Sequence, residues 1–176
     1  MRWTVLVVRL PAEPSRHRVA VWRELRRLGA LSLGQGVWAV PATPAFSQGL
    51  ERAIALAERG DGDVMVLDAA GRDDAQSTRL EALYTAVREA EWTEFVAECG
   101  KYDAEIDKEI RTGKLTLAEL DEEEQSLERL RRWYRELKVR DLFGAPSASQ
   151  AEQDLKHCTE RLEDYAERVY RAVHQR

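Results

Sequence analysis

Two cysteines and three histidines are the whole supply of thiol and imidazole ligands in these 176 residues. Cys99 and Cys158 cannot build a disulfide framework, and no CxxC or HxxxH spacing marks a metal site. There is no P-loop, no GxGxxG and no Ser/His/Asp set. The sequence therefore offers no catalytic residue, no metal and no cofactor. Apolar runs are short, none near the roughly 18 residues that a membrane helix needs. Arg9 interrupts the first apolar stretch and no small-residue cleavage site follows, a poor fit to a signal peptide. No segment is low-complexity and none repeats. At 44% apolar the chain is too hydrophobic to stay disordered. The expectation is a soluble cytosolic protein with no membrane partner, and not an enzyme.

Lysine is missing from the first sixty residues altogether. That stretch holds 9 Arg against 4 Glu, a net +5. The remainder keeps 18 of the 27 Lys+Arg and 28 of the 32 Asp+Glu, a net −10. A basic front and an acidic back point to two parts with different surroundings.

The front part changes period repeatedly. Trp3–Leu10 is β-rich and nearly all apolar, so it reads as a central strand, ended by Pro11 and Pro14. Ser15 starts a helix whose positions Val19, Trp22, Leu25 and Leu28 share one face, and Gly29 stops it. Ala30–Leu33 and Val37–Val40 flank Gly34-Gln35-Gly36, a hairpin signal. Thr43 and Pro44 open a second helix that Gly60 closes, and Asp63–Leu67 is a last strand. The order βαββαβ is the ferredoxin-like arrangement and occupies residues 1–71. The class is α+β.

Residues 72–176 read as an antiparallel three-helix bundle. A first helix over 74–111 carries Leu80, Leu83, Val87, Phe95, Cys99, Tyr102, Ile106 and Ile110, and Gly113 ends it. Thr116 with Glu119, and Ser149 with Glu152, form capping boxes for the next two. The last helix repeats apolar residues in a 4-3-4-3 pattern from Ala151 to Val173. Such seams bury a bundle core or a homodimer contact.

Several segments, taken in order, resemble a known family. They are Trp3-Thr-Val-Leu-Val-Val-Arg-Leu-Pro11, Val21-Trp22-Arg23-Glu-Leu-Arg-Arg-Leu-Gly29 and Gly36-Val37-Trp38-Ala39-Val40-Pro41. Glu94-Phe95, Glu98-Cys99, Lys114–Leu120, Leu130-Arg-Arg-Trp133 and Arg140-Asp-Leu-Phe-Gly-Ala-Pro146 continue the series. Together they resemble the N-terminal domain of the chromate-resistance protein ChrB family across nearly the whole chain. The resemblance implies a cytoplasmic bacterial protein tied to chromate resistance, of a type described as chromate-responsive regulators of the resistance genes. Longer members continue into a second domain where this chain stops. The βαββαβ unit also resembles that of the CRISPR adaptation nucleases and of the repressor PaaX. In those nucleases an Asp ends the first strand and supports metal chemistry. Here Arg9-Leu10 stands there, which excludes a Mg²⁺ site. PaaX-like repressors carry a winged helix ahead of this unit, for which this chain has no residues.

The first helix is the sharpest candidate. At about 100° per residue, Arg16, Arg23 and Arg27 fall within about 40° of one another, and Arg18 and Arg26 flank the apolar arc. Guanidinium groups suit phosphate or a tetrahedral oxyanion such as chromate. DNA is the obvious polyanion, although no helix-turn-helix or zinc-finger spacing accompanies it. An ordinary solvated face, with Glu24 pairing Arg27, is the plain alternative.

Other features have plainer readings. Trp22 and Trp38 are expected in the core, and Trp133 where the bundle meets the sheet domain. Cys99 and Cys158 sit on apolar seams that an antiparallel bundle brings close, and small apolar packing is their expected role. Asp121–Glu124 and Glu105/Asp107/Glu109 read as solvated faces. A rival function is a structural interaction module whose acidic bundle docks a protein and which binds neither DNA nor chromate.

Overall fold

The structure is a computed structural model, and residues 1–174 are described. The chain divides into two compact units, Met1–Tyr84 and Thr85–Arg176.

The first unit contains β1 (Trp3–Arg9), α1 (Ser15–Leu28), β2 (Leu31–Gly34), β3 (Val37–Pro41), α2 (Ser47–Arg59) and β4 (Asp63–Ala69). The sheet runs β2-β3-β1-β4 with every neighbour antiparallel, which is the ferredoxin-like order. Apolar β1 is central, as its composition requires. Leu6 and Val40 lie on one face of the sheet and are fully buried. Trp3 lies on the opposite face of β1. There it meets Tyr84 edge-on at 5.5 Å between ring centroids. Tyr84 belongs to α3 (Asp74–Thr112), so the opening turns of that helix belong with the sheet, and the boundary falls beyond Gly71.

Local signals explain most element ends. Gly29 is left-handed at φ 85°, and Ala30 N–H reaches back to Leu25 O at 3.0 Å, closing α1. Thr43 departs from its expected role. A single 3₁₀ turn, Pro44–Phe46, intervenes before α2, and the Thr43 hydroxyl is buried and caps nothing.

The second unit holds the rest of α3, α4 (Leu117–Arg140) and α5 (Ala148–His174). Successive helices are antiparallel, so α3 and α5 run the same way. Trp92 meets Tyr134 and Tyr102 meets Glu123 across α3/α4, whereas Glu89 meets Ser147 and Asp103 meets Arg161 across α3/α5. Phe95, Cys99, Tyr102 and Ile106 of the expected α3 stripe are buried. Leu83 and Val87 are exposed instead, because the buried face continues upstream through Trp92, Arg88 and Tyr84. Thr116 caps α4 through Glu119 N–H, as its sequence indicates. Ser149 does not cap α5, since the helix begins at Ala148. Ser147 precedes it, donating both its N–H and its hydroxyl to the Glu89 carboxylate. Trp133 packs within the bundle, 5.3 Å from Phe95.

Two acids of the supposedly solvated runs are buried. Glu109 is held by Lys114 at 3.4 Å. Burial, together with Glu105, Glu109, Glu119 and Glu122, pushes the Glu123 carboxyl above its ordinary range. The folded state thus favours the protonated form. Stability falls as pH rises from the ordinary carboxylate value through the raised one, and stays lower above it. Glu123→Gln should therefore raise the melting temperature at pH 7 and leave it unchanged at pH 4, measured by circular dichroism. A larger gain at pH 4 than at pH 7 contradicts this account.

Candidate anion-binding groove

The arginines of α1 are placed by the phase of the helix. Val21 and Leu25 form its buried face, with Leu28 partly buried beside them. This is rotated from the expected Val19/Trp22/Leu25/Leu28 stripe, because α1 packs against α2 as well as the sheet. Gly49 of α2 lies where a Cβ would come within 2.3 Å of Leu28 Cδ1, so the two helices are closely apposed. Val19 and Trp22 are pushed outward and are 41% and 48% exposed. Trp22 is therefore not a core residue.

Arg16, Arg18, Arg23, Arg26 and Arg27 are all exposed. Glu24, the one acid on α1, is half-buried and binds Arg52 of α2 at 2.8 Å. Arg26 stacks over the Trp22 ring at 5.0 Å. Arg16, Arg18 and Arg23 have no carboxylate partner among the described residues.

Beside the helix lies an open groove of about 740 Å³. Arg18, Trp22 and Arg23 come from α1, Arg9 from the end of β1 and Trp38 from β3. Ser15, Gln35 and Gly36 add polar edges, and no carboxylate lines it. Gly36 is required there. Its φ is +72°, a Cβ would stand 2.5 Å from Val8 O, and its own carbonyl accepts from Val8 N–H at 2.6 Å. The groove brings together Arg18 and Arg23 of the five expected arginines. Arg26 lies outside its lining, and Arg16 and Arg27 lie away from it. Sequence reasoning missed Arg9 and Trp38 as site residues. Only the hairpin glycines hinted that a backbone must approach closely there.

The remaining candidates fall elsewhere. Cys99 and Cys158 do meet in the core of the second unit, where the Cys158 thiol faces the Cys99 carbonyl oxygen at 3.5 Å. Their mutual hydrogen bond and burial push the Cys99 thiol up, holding it protonated. His157 contacts Asp103 at 3.4 Å, and Arg161 takes the same carboxylate at 2.7 Å. Among the described residues no group of three His, Cys, Asp or Glu side chains is placed to hold a metal ion. No helix among them is long and apolar enough to cross a membrane.

Residues 18–176 match the family described as Protein ChrB, N-terminal. A curated relative, Protein ChrB of Cupriavidus metallidurans (strain ATCC 43123 / DSM 2839 / NBRC 102507 / CH34), is 30% identical over 122 residues. The match covers 69% of this chain and 34% of that relative, so the chain spans about a third of the curated protein it matches.

Proposed function

Because the chain belongs to the ChrB N-terminal family, we propose that it is the nucleic-acid-contacting part of a chromate-responsive regulator in the cytoplasm, acting without catalysis. The observation that supports this reading is the state of α1. Its arginines face solvent, its single carboxylate is taken by Arg52, and Arg16, Arg18 and Arg23 keep their donors open. Such a face suits phosphate oxygens, which accept from guanidinium in pairs and release counterions when they do so. Chromate would act as the effector that alters this contact. The bundle would supply the rigid second body, and a homodimer would present two such faces.

The test is a titration of the purified chain against a labelled DNA duplex of mixed sequence at several salt concentrations, with and without chromate. Affinity should fall steeply with salt. Arg23→Glu with Arg27→Glu should weaken binding about 100-fold and lower the log–log salt slope by about 2. Binding unchanged by that double substitution overturns the assignment. No binding even at low salt favours the protein-interaction module instead.

A further inference from the structure

The groove beside α1 has features that a phosphate-binding helix face does not need. Two tryptophans line it, and one of them, Trp22, is 48% exposed. A side chain of that size is normally well buried, and leaving it half in water forgoes the gain from covering it. Arg26 stacks on the indole without entering the groove lining, which orients the ring and leaves the groove free. Two arginines of α1, Arg18 and Arg23, line it with the two rings, and no carboxylate does. The chemistry is that of an anionic ligand carrying a flat apolar face.

This combination separates the available anions. A tetrahedral oxyanion is strongly hydrated and small, whereas the groove measures about 740 Å³ and its walls are mainly apolar. Such an ion would use the guanidinium groups alone and leave the two indole faces without an apolar partner. Duplex DNA presents phosphate but keeps its base faces stacked inside, so it offers the rings nothing. An unpaired nucleotide offers both parts. Its base can stack on indole regardless of sequence, and its phosphate meets the guanidinium groups.

We infer that the groove receives an unstacked nucleotide of single-stranded nucleic acid, its base against Trp22 and Trp38 and its phosphate on Arg18 and Arg23. The inference rests on the reading of α1 as a nucleic-acid contact and narrows it to the strand state. Helix α1 would grip the backbone on either side, and the groove would favour DNA that has opened.

The experiment compares a labelled single-stranded oligonucleotide with its own duplex on the full chain, reading anisotropy and tryptophan fluorescence. The single strand should bind roughly tenfold more tightly and quench the tryptophan signal. Trp22→Ala, at an exposed position, should weaken the single strand roughly tenfold, leave its salt slope unchanged and weaken the duplex far less. Trp22→Phe should restore most of the loss. Single-strand affinity unchanged in Trp22→Ala overturns the inference, as does a preference for the duplex. A free mononucleotide competing at the strand's own affinity overturns it too, by assigning the groove to a diffusible ligand. If the duplex binds with a steep salt slope and the single strand gains nothing, only this inference falls. If neither binds, the reading of α1 falls with it.

Discussion

Trp92→Ala should remove about 3–5 kcal/mol from the stability of the helical unit, the range for a buried aromatic cut to a methyl group. Trp92 is 1% exposed. It packs edge-on against Phe95 at 6.0 Å and against Tyr134 at 5.3 Å, so it joins α3 to α4. Its indole N–H donates to the Asp141 carboxylate at 2.9 Å. That carboxylate also receives Ala145 N–H, at 3.0 and 3.1 Å to its two oxygens. The ring thus holds the turn into α5 as well as the core, and truncation leaves both a cavity and a loosened turn. Trp92→Phe separates the two effects. It keeps most of the ring and gives up the bond to Asp141, at a cost of about 1–2 kcal/mol. Urea unfolding followed by circular dichroism measures both. A loss under about 1 kcal/mol for the alanine variant contradicts the packing described.

Gly36→Val should cost the sheet unit about 3 kcal/mol, with a smaller loss for Gly36→Ala. Two independent penalties meet at this residue. The backbone is left-handed at φ +72°, where a β-branched side chain is strained, and a Cβ would press on Val8 O at 2.5 Å. Relief requires the hairpin to swing from β1, which breaks the Val8 N–H bond to the Gly36 carbonyl. Because Gly36 also edges the groove, the same movement opens the space between Arg9 and Trp38. Alanine at this position with wild-type stability would show that the turn is not held as described.

These two residues also mark how far the sequence could be read. Punctuation by glycine and proline is local, so Gly29, the hairpin glycines and Thr116 placed element ends and the βαββαβ order correctly. The phase of α1 was harder. Val19, Trp22, Leu25 and Leu28 make a plausible stripe on hydrophobicity alone. The true face is chosen by α2, which takes up Leu28 at Gly49 and pairs Arg52 with Glu24. No spacing within the helix records that partner. Ser149 misled for the same reason, since Glu89, 58 residues upstream of Ser147, fixes the start of α5. Arg18 and Arg23 were legible as candidates because charge clusters along one helix. The groove was not, because β1, β3 and the hairpin build it with α1.

The ion pair between Glu24 and Arg52 carries a kinetic consequence. By drawing the one carboxylate of α1 toward α2, it leaves the exposed side of the helix with an uncompensated positive potential. Such a potential reaches about 10 Å into solvent at 0.1 M salt, far enough to bend the paths of approaching polyanions. A polyanion bound as proposed would then be steered at long range, which raises encounter rates before any specific contact forms. Arg52→Ala would free Glu24 to quench that field from within, slowing association while the groove itself stays whole.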